Sequence, residues 1–285
     1  MSMQDLDFAT GPRKEIYDPA VALAFFKIDG TVESIAQGKS FFVENEKSGG
    51  FFSKGAKMYL LLDGEVSLAV KNKVIGTVSK GQIFGEMASI GQMARSATAI
   101  AKSNCRVISL DEKQFQRSIQ KAPDFAMMLM SIIISRLRQV IAAVSGNNAL
   151  TDEQTLGKRS VFDKKLLADL EREFEGRPPL RAPKNKVIMM EGEAGAYMYV
   201  VLEGRVKVSI KNRTVERLGP GGVIGEVALV DQAPRLATAI AETDTSLLPI
   251  NRKDFQLFIK TKPDFSLSLL KSLAERLRFM NAQLK

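Results

Sequence analysis

The sequence predicts a mainly β fold built twice: two small antiparallel barrels of jelly-roll type, each with flanking α-helices. Three observations lead there. The chain repeats itself at a fixed spacing, each repeat carries short alternating segments punctuated by turn residues, and each ends in a helical pattern. Met58-Tyr59-Leu60-Leu61-Leu62-Asp63-Gly64 returns as Met198-Tyr199-Val200-Val201-Leu202-Glu203-Gly204, an offset of 140. With that offset held and no gap, 29 of the 83 positions from 58 to 140 are identical. Among them are Lys71-Asn72 on Lys211-Asn212, Gly85-Glu86 on Gly225-Glu226, Arg95 on Arg235, and Pro123-Asp124-Phe125 on Pro263-Asp264-Phe265. Arg136-Leu137-Arg138 likewise falls on Arg276-Leu277-Arg278. An ungapped match of that extent across a mixed sequence means two copies of one domain.

Each element follows in order. Residues 1–18 read as a loose arm, and the first copy occupies 19–145. After a short helix, Ser40 to Val43, Met58 to Val70 and Lys73 to Val78 alternate and are rich in β-branched residues, which predicts strands. Asp63-Gly64 and Lys71-Asn72 sit where hairpins must turn. The Gly85-Glu86 segment follows, then strands at Ala97 to Ala101 and Cys105 to Leu110, then helices. Residues 146–160 are polar and read as a linker. The second copy, 161–285, opens with an amphipathic helix over Val161 to Phe174, closed by Gly176 and Pro178-Pro179. Its strands are expected at Lys186 to Met190, Met198 to Ile210 and Thr214 to Leu218. Short antiparallel strands with frequent turns indicate a small barrel or jelly roll.

Composition narrows the chemistry. The 285 residues include no His and a single Cys, Cys105. A His-based triad, a His metal cage, a zinc site and an internal disulfide are therefore excluded, and so is a His-rich metal enzyme on a double jelly roll. What remains is carboxylates, Lys, Arg, hydroxyls and backbone amides, which suit anion binding better than catalysis. The formal charge of +9 invites thoughts of nucleic acid, but residues 1–145 carry 18 basic and 14 acidic side chains and residues 146–285 carry 23 and 18. An excess shared evenly, with no basic block, reads as a solvated mixed surface and not as a specific nucleic-acid site. Met1 to Asp7 is polar and acidic, unlike a signal peptide. The most apolar stretch, Phe125 to Ile134, is followed at once by Ser135-Arg136-Leu137-Arg138, so no membrane span is expected and the cytoplasm is the expected compartment.

One segment in each copy carries the chemistry: Phe84-Gly85-Glu86-Met87-Ala88-Ser89 followed by Ala94-Arg95-Ser96-Ala97-Thr98, and Ile224-Gly225-Glu226-Val227-Ala228-Leu229 followed by Pro234-Arg235-Leu236-Ala237-Thr238. The Gly lets backbone pass close to a ligand. The residues after it can open a short helix whose free amides point at an anion. An Arg nine residues after the Glu can return to the same spot and grip two phosphate oxygens. The Glu cannot serve a phosphate; it suits sugar hydroxyls. The constellation reads as a site for a phosphate joined to a hydroxyl-bearing ring.

Both copies resemble the cyclic nucleotide-binding domain of catabolite activators, kinase regulatory subunits and nucleotide-gated channels, over residues 20–145 and 160–285. The resemblance rests on the cassette F-G-E-[LIVM]-A-L-x(4–5)-[PA]-R-x-A-T. It implies that Arg95 and Arg235 pair with the cyclic phosphate and that Glu86 and Glu226 take the ribose 2′-hydroxyl. It implies that the amides at Met87, Ala88, Val227 and Ala228 complete the phosphate cradle beside Gly85, Ala97, Gly225 and Ala237. The first copy departs more, with Ala94 for Pro234 and Phe52-Ser53 for Gly192-Glu193. The position after the Arg bears on the base: Leu236 offers no hydrogen bond, while Ser96 leaves guanine open, so cAMP is favoured, with cGMP a second choice. Arg136 and Arg276 fall where some members place a base-stacking or Glu-pairing Arg. Ile141-Ala142 would cap the first copy's ligand with apolar groups, and Asn281 could bond a base in the second.

The last helices also carry a 3,4 seam, Met130, Ile133, Leu137, Val140 and Val144 in one and Leu270, Leu273, Leu277, Met280 and Leu284 in the other. The seams either pair, as an intrachain pseudo-dimer or a homodimer, or pack on their own barrels. No helix-turn-helix, channel pore or cyclase is expected. The expectation is a tandem sensor that signals to a protein partner not identified by the sequence, or alternatively a ligand-free scaffold with degenerate pockets.

Overall fold

The computed structural model describes residues 17–47, 56–91, 93–146 and 155–284. The bulk of the expected N-terminal arm and the Phe52-Ser53 departure lie outside these residues. The chain divides into two units, residues 1–133 and 134–285.

The first unit opens with α1 (Pro19–Asp29). Its Asp18 cap accepts from the amides of Ala20 and Val21 at 2.7 and 3.3 Å, and Pro19 takes the first turn, where a missing N–H costs nothing. Eight strands follow: β1 (Thr31–Ile35), β2 (Ser40–Phe42), β3 (Met58–Asp63), β4 (Val66–Val70), β5 (Lys73–Val78), β6 (Ile83–Phe84), β7 (Thr98–Ala101) and β8 (Cys105–Leu110). The short helix α2 (Glu86–Gly91) sits between β6 and β7, and α3 (Glu112–Ile119) and α4 (Pro123–Gly146) close the run, with α4 continuing past residue 133 into the second unit. The strands form two antiparallel sheets, β1-β8-β3-β6 and β2-β7-β4-β5. Their inner faces meet in a core that includes Phe42, Tyr59, Leu61, Val66, Phe84, Ala99 and Val107. Lys71 and Asn72 have φ of 48° and 63°, the double left-handed turn that a two-residue hairpin demands. A Phe cluster fastens the helices to one another: Phe25 stacks on Phe125 with centroids 3.7 Å apart and meets Phe26 and Phe115 edge-on.

The second unit repeats the plan. It holds β9 (Leu156–Arg159), α5 (Lys164–Glu173), β10 (Leu180–Ala182), β11 (Val187–Met189), β12 (Tyr197–Glu203), β13 (Val206–Ile210), β14 (Arg213–Leu218) and β15 (Val223–Ile224). Then come α6 (Glu226–Asp231), β16 (Thr238–Ala241), β17 (Thr245–Asn251), α7 (Arg252–Thr261) and α8 (Pro263–Ala282). The sheets are β10-β17-β12-β15 and β11-β16-β13-β14-β9. Each unit is a jelly roll with flanking helices, as the repeat predicted.

Three features differ from the sequence reading. Residues 156–159, expected within a linker, form β9, which pairs parallel to β14 through Leu156↔Glu216 and Arg159↔Leu218. A four-residue strand bounded by polar residues carries too little periodicity to announce itself. The helix expected over 161–174 begins at Lys164, where the Asp163 side chain accepts from the Leu166 amide. Finally, α4 is 24 residues long and apolar enough to cross a membrane by length and composition, although half of its most apolar window is buried in the protein. The apolar stretch read from the sequence ended at Ile134, before Arg136 and Arg138; the helix runs through them, as the seam to Val144 implied, and Leu137, Val140, Ile141 and Val144 are buried.

Candidate ligand-binding sites

In the second unit the chain from β15 turns at Gly225, whose φ of +83° is left-handed, and starts α6 at Glu226. This reversal carries Glu226, Val227 and Ala228 under β12, and the return into β16 brings Arg235 back to the same place. Arg235 is only 7% exposed, yet the acceptors of its guanidinium are backbone carbonyls: Nη1 donates to Gly225 O at 2.8 Å and Nη2 to Tyr197 O at 2.6 Å. Burial lowers its pKa below the usual value, with Tyr199 and Glu226 opposing the shift. A buried cation fixed by two carbonyls, with no carboxylate partner among the described residues, is held ready for an anion.

Glu226 is otherwise engaged. It accepts from Arg276 Nη1 on α8, while Arg276 Nε donates to Glu216 at 3.0 Å and Nη2 to Val223 O at 2.9 Å. Burial alone would lower the Arg276 pKa; the two carboxylates outweigh it and hold the guanidinium above its ordinary value. Of the two roles the resemblance left open for Arg276, the geometry shows the Glu-pairing one. A carboxylate has about four acceptor positions, so Glu226 keeps capacity for a hydroxyl.

Arg235, Glu226 and Arg276 surround one cavity of about 640 Å³, counting the space open to solvent. The eight residues expected for this copy, Gly225, Glu226, Val227, Ala228, Arg235, Leu236, Ala237 and Arg276, all line it. Apart from Glu216, the rest of the wall is apolar and includes Met189, Val208, Phe279, Met280 and Leu156 of β9. It also includes Leu137 and Ile141 of α4, both within the second unit. Ile141, expected to cap the first copy's ligand, thus lines the second unit's cavity. Asn281, expected to meet a base there, is not among the lining residues, and its buried Oδ1 has no hydrogen-bond partner among the described residues.

The first unit has the matching parts. Gly85 has φ of +77°, Glu86 opens α2 and is buried, and Arg95 is 6% exposed. Arg95 Nη1 donates to Gly85 O at 2.9 Å and Nη2 to Lys57 O at 2.8 Å, the same two backbone positions as in the second unit. The guanidinium also lies 4.0 Å from the centre of the Phe42 ring. Its pKa is lowered by burial, with Tyr59, Glu46 and Glu86 opposing; burial in turn pushes the Tyr59 hydroxyl up to about 12. Ala88 and Ala97 are buried, Met87 is half-buried and Ser96 is exposed. Arg136 is half-buried on α4 and falls in the second unit.

Gly195 went unnoticed in the sequence. A Cβ there would lie 2.4 Å from Arg235 Cζ and 2.5 Å from Nε. A signal existed, because the same 140-residue offset sets Gly55-Ala56 on Gly195-Ala196. Glu216 was also missed: the first copy has Gly76 at that position, and one copy alone gives no pattern to notice.

Comparison with known proteins identifies the family. The family model described as cyclic nucleotide-binding domain matches residues 32–122 and 179–262. A cGMP-dependent protein kinase of Toxoplasma gondii is 29% identical over 230 residues, covering 79% of this chain and 21% of that protein. The chain therefore spans about a fifth of the length of the curated kinases it matches. Among solved structures, the regulatory domain of Toxoplasma gondii PKA with cAMP is 20% identical, covering 86% of this chain and 87% of that one, at a TM-score of 0.32. The catabolite activator protein of Thermus thermophilus is 32% identical, covering 42% and 57%, at a TM-score of 0.37.

Proposed function

The chain belongs to the cyclic nucleotide-binding domain family and carries that domain twice, and from this premise we propose that it is a cyclic nucleotide receptor whose ligand is cAMP. The observation that carries the reading is Arg235: a buried guanidinium pinned by Gly225 O and Tyr197 O, facing a cavity that also holds Glu226. In this reading Arg235 and the first amides of α6 take the cyclic phosphate, and Glu226 accepts from a ribose hydroxyl. Arg95 and Glu86 do the same in the first copy, beside Gly85, Met87, Ala88, Ser96 and Ala97. The base lies against an apolar wall. Leu236 lines that wall and offers no hydrogen bond, so the exocyclic amino group of guanine would be left unmet, which favours cAMP over cGMP in the second site. We take the two domains as residues 19–145 and 161–285, with the output a ligand-dependent shift of α4 and α8 toward a protein partner in the cytoplasm; any such shift requires different ligand affinities in the two arrangements.

Calorimetry tests it. cAMP is expected to bind more tightly than cGMP, with two sites per chain. Arg235→Ala is expected to remove one site, weakening it about a hundredfold by loss of charge-assisted hydrogen bonds, and Arg95→Ala the other. No heat and no thermal shift with either nucleotide at millimolar concentration would refute the reading and favour a ligand-free scaffold.

A further inference from the structure

The second half of α4 does more than line the second unit's cavity. Arg138 projects from it to the loop that joins α6 to Arg235. Its Nε donates to Asp231, its Nη2 donates to the other carboxylate oxygen of Asp231 at 3.1 Å, and Nη2 also donates to Pro234 O at 2.9 Å. Asp231 is the last residue of α6, and Pro234 precedes Arg235 directly. One guanidinium therefore grips both ends of the loop whose geometry sets where Arg235 stands. Asp231 further accepts from the Ala233 amide at 3.1 Å, which tightens the same loop. Both partners are largely withdrawn from solvent, with side chains 26% and 19% exposed. One helical turn further along the same face, Ile141 joins Leu137 in the cavity wall.

The repeat shows that this is not a general feature of the domain. At the 140-residue offset, Asp231 corresponds to Gly91 and Pro234 to Ala94, while Arg138 corresponds to Arg278. Gly91 has no side chain to accept from an arginine. The latch is thus particular to the second site.

Resting on the nucleotide reading above, we infer that α4 is a component of the second binding site: Arg138 is a positioning residue that latches the helix to the cassette loop. Leu137 and Ile141 supply the apolar wall that selects the ligand's ring. The site is complete only with α4 in place, so an output carried by α4 is read out directly at the phosphate-binding loop.

The test uses the full chain with Arg95→Ala, which silences the first site. Arg138→Gln and Asp231→Asn are each expected to weaken cAMP binding at the second site about tenfold. The double variant should be little weaker than Arg138→Gln alone, because the Arg138–Asp231 pair is already broken there. Arg138→Lys should recover part of the loss, and Ile141→Ser should change the cAMP-to-cGMP ratio with little effect on Arg235. Unchanged affinity in both single variants, or effects that multiply in the double variant, would overturn the inference while leaving the receptor reading intact. A second measurement is independent of any ligand. In the ligand-free chain, Arg138→Gln is expected to speed amide hydrogen exchange across residues 226–235 by at least fivefold, and unchanged exchange there would overturn the latch whether or not nucleotide binds.

Discussion

Arg276→Leu is expected to destabilise the second unit by about 3–5 kcal/mol, the largest effect of any single polar substitution considered for this protein. Arg276 lies between Glu216 and Glu226, with side chains 14%, 4% and 3% exposed, and it also satisfies Val223 O. Removing it takes away the cation that the two buried carboxylates share. Leucine fills the volume of the stem but answers none of the three acceptors. Urea denaturation measures the loss. Adding Glu216→Gln to Arg276→Leu is expected to recover part of the stability, since one of two like charges that shared the lost cation disappears, whereas Glu216→Gln alone should cost less than Arg276→Leu. A variant Arg276→Leu within about 1 kcal/mol of the parent would show that the ion triad is not holding β14, α6 and α8 together.

Gly195→Ala is expected to lower ligand affinity at the second site by at least tenfold while leaving the melting temperature within a few degrees of the parent. The new methyl group would overlap Arg235 Cζ, Nε and Nη1, at 2.4, 2.5 and 2.8 Å. Gly195 does not have the positive φ that marks Gly225, so the backbone tolerates alanine there. The guanidinium, at the far end of a flexible side chain, is what must move. Its hydrogen bonds to Gly225 O and Tyr197 O would be lost or bent, at a cost of roughly 1 kcal/mol each that solvent can partly offset. Binding, which needs the guanidinium in one place, suffers far more than folding does. Titration calorimetry beside a thermal melt separates the two. Equal affinity would mean that Arg235 reaches the ligand from another rotamer.

Much of the fold was legible because the chain states it twice. β5 and β8 fall on Lys73–Val78 and Cys105–Leu110, the limits that alternation predicts. The Lys71-Asn72 and Lys211-Asn212 turns adopt the left-handed pair that their Asn residues permit. The missed strands, β1, β6, β9, β10 and β15, are two to five residues long, and a segment of that length has no period to read. The site was legible for a different reason. Gly225, Glu226 and Arg235 answer what the proposed site requires by local chemistry, namely a left-handed turn, a hydroxyl acceptor and a phosphate partner, and these are residue types that a sequence displays.

The sequence by itself determined that two jelly-roll domains share one cassette, that the candidate working groups are Glu, Arg and backbone amides, and that the second copy differs at Pro234 and Leu236. Only the tertiary structure decided what each charge is doing. It assigned Arg276 to Glu226 and Glu216, gave Arg95 and Arg235 to backbone carbonyls, and brought Leu137, Arg138 and Ile141 to the second unit's cavity and loop. The physical reason is range. Turns and strand periods are set by neighbours in the chain, whereas the partner of a buried charge is set by which distant groups share its low-dielectric surroundings, and Arg276 and Glu216 stand 60 residues apart.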